Sequence, residues 1–308
     1  MNDFHCYSFY VPNDFSPDEQ SAGNHRWLLL QNKVHEDRIK RAFTLFREHG
    51  IEPILIKGWA AARNYPTDNP RDFNDTDLAV PADDYFKAAR LTGRAEASGL
   101  IIDLHKELRH YDSLSWQNLF EHSRLVKIDD FEVRILRPED HLRVLCVHWL
   151  NDGGANKERL WDIYYAIANR PPDFDWERCL DVVPENRRRW ILCAIGMTHH
   201  YLGLEIDDLP FAAEAKQIPE WMKKCVEKEW SSDTRLDTVM LHLKSPSSLF
   251  KQIKKRIPPN PLRAIIEMEG RIDARTRIFY QIGCMAKMLT HPRGAKSAWA
   301  SVRDTDND

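Results

Sequence analysis

Over its first 137 residues the chain alternates stretches of helical period with short apolar runs, and beyond that point only the helical period remains. From Asn24 to Gly50, Leu30, Val34, Ile39, Phe43 and Phe46 recur at helical spacings among charged residues, and Gly50 supplies a stop. "IEPILIKG" then predicts a short buried strand over Ile54 to Ile56. Gly58 opens a second short helix through "WAAARNY", which Pro66 ends. The loop "PTDNPRDFN" delivers the chain into "DTDLAV", a second strand. Asp83 to Ser98, with Ala88, Ala89 and Leu91 among polar residues, predicts a helix, and "GLIIDLHKEL" a third strand. Leu125 to Leu136 has two apolar stretches around Asp129-Asp130, the pattern of a hairpin.

After Arg137 the character changes. "PEDHLRVLCVHWL" begins with a helix-entry proline and sets Leu142, Leu145 and Trp149 on one face. Further helices are predicted near Lys157 to Asn169, Asp175 to Val183, Asn186 to Gly203, Glu220 to Trp230, Ser247 to Ile257 and Arg271 to Leu289. Asp175, in "PPDFDWERC", reads as a helix N-cap. The expected fold class is α+β. A small mixed-sheet core with an N-terminal helix occupies residues 1–137, a mostly α-helical domain 138–295, and a flexible tail 296–308, where periodicity is lost.

Composition narrows the classes. A chain of 308 residues suits two packed units, and 43% apolar residues with ten Trp and thirteen Phe supply ample core. No apolar run approaches the roughly 20 residues a membrane helix requires. The N-terminus carries acids and prolines where a signal peptide needs a basic start and an apolar stretch, so the expectation is a cytoplasmic protein without a membrane partner. Six cysteines without a CxxC pair read as buried free thiols, and no structural zinc is expected. The net charge of -3 hides a basic C-terminal part, where thirteen Lys/Arg face six Asp/Glu from Leu241 onward; this reads as a solvated helix face.

The chemistry concentrates in "RDFNDTDLAV". Side chains alternate along a strand, so Asp75 and Asp77 share a face at roughly 7 Å between their Cα atoms. Two carboxylates so placed suit Mg²⁺, a hard ion that keeps several waters and takes its remaining oxygens from substrate phosphates. Asp103, in the apolar run "LIIDLH", is a costly charge unless paired, and an adjacent strand can bring it beside the first two. Taken alone, Asp103 also fits an ion pair with Lys106 or Arg109, and His105 reads as a structural or rim histidine. A strand followed by Lys57-Gly58 at a helix start offers backbone N–H groups and a mobile positive charge to a phosphate, and Arg71 a planar fork to another. Together these parts point to phosphoryl or nucleotidyl transfer, with metal ions bridging a polyphosphate and a carboxylate orienting an attacking hydroxyl.

In this order, "HGIEPILIKGWA", "RDFNDTDLAV" and "IIDLHKEL" resemble the nucleotidyltransferase superfamily of the DNA polymerase β type. More narrowly they are similar to an uncharacterised bacterial nucleotidyltransferase family with an LKG, then RxxxDxDL, then DLH pattern. "LRPEDHLRVLCVHWL" and "ERLWDI" extend the similarity, which spans roughly Ile51 to Trp176. The resemblance implies Asp75 and Asp77 as the metal-binding pair, Asp103 as third metal-site acid and candidate base, and Gly58 as the glycine a phosphate approaches. The wider superfamily usually carries Gly-Ser or Gly-Gly at that turn, and here Trp59 follows Gly58. A helical part that closes the cleft makes His148, Arg159 and Asp162 further candidates, the first two for nucleotide binding; Arg159 and Asp162 also fit a helix salt bridge, which is the favoured reading of Asp162.

The expected activity is transfer of a nucleoside monophosphate from an NTP, with ATP as the expected donor and Mg²⁺ or Mn²⁺ as cofactor, onto a hydroxyl of a small-molecule, sugar or protein acceptor. The alternative is a nucleotide- or partner-binding module on the same fold that does not turn over, as follows if Trp59 blocks the triphosphate pocket. A glycosyltransferase using its DxD ranks last, since it calls for neither the KG turn nor the third strand acid. Nucleic acid is a disfavoured partner for a chain that is acidic overall.

Overall fold

A computed structural model describes residues 17–108, 110–232 and 245–290. Cys6, Arg109 and the expected tail over 296–308 lie outside the described residues. Helix α1 (Pro17–Glu48) leads into strand β1 (Ile54–Leu55), the single turn α2 (Trp59–Ala62), β2 (Thr76–Val80), α3 (Tyr85–Thr92) and β3 (Ile102–Lys106). Then come α4 (Trp116–Glu121) and the hairpin of β4 (Arg124–Ile128) and β5 (Phe131–Ile135). Helices follow: α5 (Pro138–Asn151), α6 (Leu160–Ala168), α7 (Trp176–Leu180), α8 (Glu185–Leu202), α9 (Ala212–Lys216), α10 (Glu220–Trp230), α11 (Pro246–Arg256), α12 (Pro261–Glu267) and α13 (Ile278–Thr290).

The five strands form one mixed sheet in the order β3-β2-β1-β5-β4. β1 runs antiparallel to β2 and parallel to β5, and β2 runs parallel to β3. Strand alternation sorts the apolar side chains into two layers. Leu55, Leu78, Val80, Val133 and Ile135 pack against Ile39, Phe43 and Phe46 of α1. Ile54, Ile56 and Ala79 face the other way, onto Leu119 of α4 and Val144 of α5. Asp77 has the parity of Ala79, so the sheet turns it toward α5 rather than toward α1. A larger apolar core joins α5, α6, α8 and α12, with Trp149 and Trp190 fully buried.

A buried ionic lattice ties the sheet to these helices. Arg143 of α5 donates to Asp112, in the loop after β3, at 2.8 Å and to Asp140 at 2.7 Å. Asp140 also accepts from Arg178 of α7 at 2.8 Å, and Arg178 reaches Asn118 of α4 at 3.0 Å. Charges this deep persist only when paired.

Several boundaries move from their expected places. The helix expected over Asp83 to Ser98 stops at Thr92, because Gly93 caps it, and a 3-10 turn at Ala95–Ala97 follows. The last helix starts at Ile278 rather than Arg271, since Asp273 is drawn to Arg189 at 2.9 Å and the Tyr280 hydroxyl accepts from the Arg271 N–H at 3.2 Å. Helices α4, α9 and α12 were not expected. Asp175 does cap α7, accepting from the Arg178 N–H at 2.9 Å. Cys146, Cys179, Cys193 and Cys284 are buried free thiols, and Cys225 is half-buried.

Candidate active site

The Lys57-Gly58 turn holds the site's first wall. Gly58 adopts φ 55 and ψ -113, a conformation that suits only glycine, and a Cβ there would stand 3.3 Å from the Asp75 carbonyl oxygen and 3.8 Å from Asp77 Oδ2. The helix behind it is a single four-residue turn, which carries little of the macrodipole expected to favour an anion. Positive charge comes instead from Lys57. Its side chain is buried, with Nζ 2.8 Å from Asp77 Oδ1 and 5.3 Å from the centroid of the Tyr111 ring. Trp59 turns away into the core beside α1, where its Nε1 donates to Glu36 at 3.0 Å.

Asp77 is buried in mid-strand, whereas Asp75 precedes β2 and is exposed. Both line one narrow cleft of about 50 Å³, together with Lys57, Gly58, Arg71 and, from the helices, His148, Trp149, Arg159 and Asp162. Asp103 is not in that lining. Parallel pairing in register sets it beside Asp77 on the same face, but β3 is the sheet edge, so its side chain is half exposed rather than enclosed among apolar residues.

The residue that joins these two acids is His105. Its Nε2 lies 3.2 Å from Asp103 Oδ2 and 3.4 Å from Asp77 Oδ1, and Tyr111 packs against the ring at 5.7 Å between centroids. Burial pushes the Asp77 carboxyl up, but His105 and Lys57 outweigh it and hold the group down to about 2. The same imidazole holds Asp103 below the usual carboxylate range. Burial works against an imidazolium at His105, and the two carboxylates raise its affinity for a proton above the ordinary value all the same. The donor atoms of Asp77, Asp103 and His105 lie within 4.8 Å of one another, a set that fits one divalent ion. From the sequence alone His105 reads as a structural or rim histidine; the signal that it belongs to the site is its position two residues after Asp103 on the same strand face.

On the helical side, Arg71 does not present a free fork. Its Nε and Nη2 bond Asp162 at 2.5 and 2.8 Å, and the Tyr65 hydroxyl donates to the same carboxylate at 2.7 Å. Asp162 therefore clasps the loop before β2 to α6 and makes no pair with Arg159. Arg159 goes to Asp152 at 3.2 Å and to the His148 ring at 2.9 Å. His148 Nδ1 lies 3.2 Å from Asp152 and the ring stacks on Tyr111, with 6° between planes. Burial pushes the Asp152 carboxyl up, and His148 and Arg159 more than offset it.

A glycine turn and a metal-capable acid group on a mixed sheet, with helices closing the cleft, define a nucleotidyltransferase-type arrangement. The chain belongs to the family of uncharacterised nucleotidyltransferases, whose family model matches residues 17–203, from the start of α1 to the glycine that ends α8. The match is wider at both ends than the span the motifs alone suggest. No curated protein and no solved structure matches the chain.

Proposed function

We propose that this protein is a metal-dependent nucleotidyltransferase that moves a nucleoside monophosphate from an NTP, ATP being the expected donor, to an acceptor hydroxyl. The observation that carries the reading is one cleft lined by Gly58, Lys57, Asp75 and Asp77, with Asp103 in register beside Asp77. Trp59 leaves the turn open to a phosphate, because its ring is packed among core residues. Lys57 supplies positive charge to the polyphosphate, and Arg159, half exposed at the cleft, supplies a second.

In the reaction the acceptor oxygen forms a bond to the α-phosphorus, and the bond from that phosphorus to the oxygen bridging to the β-phosphate breaks, so that pyrophosphate leaves. Asp103, at the solvent edge, takes the hydroxyl proton. Asp77 and Asp103 would hold a divalent ion, whose charge would offset that of the triphosphate and of the transition state. His148, oriented by Asp152, and Arg159 face the nucleotide from α5 and its following turn. The acceptor is a small molecule, sugar or protein, and the proposed setting is the cytoplasm. No helix among the described residues is long and apolar enough to cross a membrane.

One observation favours a second reading, a nucleotide-binding module without turnover: Lys57 holds Asp77 in a buried ion pair. Incubation with each labelled NTP and Mg²⁺ or Mn²⁺ separates the two. Pyrophosphate release that is lost in Asp75→Ala/Asp77→Ala supports transfer. Tight NTP binding with no release leaves the binding module.

A further inference from the structure

We infer that His105 is a direct metal ligand, completing a site with Asp77 and Asp103, and that its nitrogen donor makes Mn²⁺ the preferred ion over Mg²⁺. The use of that ion rests on the transfer reading above; its binding does not. β2 and β3 pair in parallel with Asp77 opposite Asp103, so their carboxylates stand side by side on one face, and His105 follows on that face of β3.

The spacings suit a shared ion. A committed N⁺–H···O⁻ bond runs about 2.7–2.9 Å. Here Nε2 stands 3.2 Å from one carboxylate and 3.4 Å from the other, bound closely to neither. A six-coordinate ion with bonds of about 2.1–2.4 Å separates neighbouring donors by about 3.0–3.4 Å. The spacings of 3.2 and 3.4 Å match that range. Asp75, though it lines the same cleft, is outside this three-residue group.

Donor chemistry then selects the ion. Mg²⁺ keeps an oxygen shell and dehydrates reluctantly, whereas imidazole suits transition metals. Mn²⁺ accepts carboxylate and imidazole together. Tyr111, packed on the His105 ring, holds its orientation, and Lys57 on Asp77 Oδ1 is the cation an incoming ion displaces.

The test uses the tag-free full chain, Mn²⁺ as probe, and the variants His105→Asn and Asp103→Asn. Pulsed electron paramagnetic resonance of bound Mn²⁺ is expected to show modulation from a coordinated ¹⁴N. That modulation disappears in His105→Asn, with Mn²⁺ affinity falling at least about tenfold and Mg²⁺ affinity falling less than about threefold. Asp103→Asn weakens both ions while keeping the nitrogen signal. No Mn²⁺ binding, bound Mn²⁺ without nitrogen coupling, or a parallel loss of both ions in His105→Asn overturns the inference. Should His105→Asn fail to fold, the wild-type spectrum alone decides. Turnover with Mg²⁺ in a protein lacking the nitrogen signal removes this inference and leaves the transfer reading; the signal in a protein that turns over no NTP does the reverse.

Discussion

Replacing Lys57 with Met removes the ammonium from Asp77 while keeping much of the side chain's bulk. The pair is deeply enclosed, with side chains 10% and 4% exposed. The Asp77 carboxyl is held down from 3.8 to about 2, and at about 1.4 kcal/mol per tenfold change in proton affinity the ionised form gains about 2.5 kcal/mol from its surroundings. Breaking a buried pair by deleting one partner costs about 3–5 kcal/mol, and His105 remains, so we expect a loss of about 3 kcal/mol at pH 7. For a chain of 308 residues, at an unfolding entropy of about 2.1 cal/mol/K per residue, that is a melting temperature lower by about 5 °C.

The sign with pH follows from the depressed carboxyl. In the wild type its stabilisation is present in full above about 3.8 and is lost as the pH falls toward about 2. The deficit of the variant therefore narrows over that interval. Added Mn²⁺ at about 100 times its dissociation constant restores about 2.7 kcal/mol. It raises the variant more than the wild type, where the ion first has to displace Lys57. Differential scanning fluorimetry across pH and Mn²⁺ concentration measures all three effects. A melting temperature unchanged by Lys57→Met, or equal Mn²⁺ shifts in both proteins, refutes the reasoning.

Asp162→Ala strips both Arg71 and Tyr65 of their buried partner, and a loss of about 3–5 kcal/mol in urea unfolding is expected; a change below about 1 kcal/mol contradicts the clasp. Gly58→Ala forces a side chain into φ 55, ψ -113 beside the Asp75 carbonyl, so it costs about 1–3 kcal/mol and weakens NTP binding in calorimetry. His141 is buried and burial pushes its affinity for a proton down from 6.5 to about 4, so its contribution is complete above about 6.5 and is lost as the pH falls toward about 4. His141→Gln is expected to remove that part of the acid-side decline, about 3 kcal/mol, in chemical denaturation measured between pH 4 and 7.

Much of the sheet was legible because its strands are bounded by Gly, Pro and Asp and because Leu55, Leu78 and Val80 alternate with Ile54, Ile56 and Ala79. What the pattern does not contain is pairing. That β3 is an edge strand, leaving Asp103 half exposed, depends on β1 and β5 filling the centre, and β1 pairs through only two residues. The partner of Arg71 was hidden for a related reason: Asp162 lies 91 positions away, and no local spacing reports such a contact. Two missed helices had readable starts. Asn260 before Pro261 caps α12, accepting from the Leu262 N–H at 2.9 Å, and Ser115 caps α4, accepting from the Asn118 N–H at 3.3 Å. Phe211 before α9 makes no side-chain cap bond, so no such signal existed there.

The ionic lattice around Asp140 gives the change of texture near Arg137 an unexpected meaning. A cut there, which texture alone invites, would leave Asp112 and Asn118 on one fragment and Asp140, Arg143 and Arg178 on the other. Each piece would expose charges whose counterparts had gone with its sibling, so neither is a sound unit for separate production. The strand-bearing portion and its first helices behave as one indivisible block, and a cut after Gly203 would in turn strip Leu262, Ile265 and Ile266 of α12 from the core they share with α5 and α8.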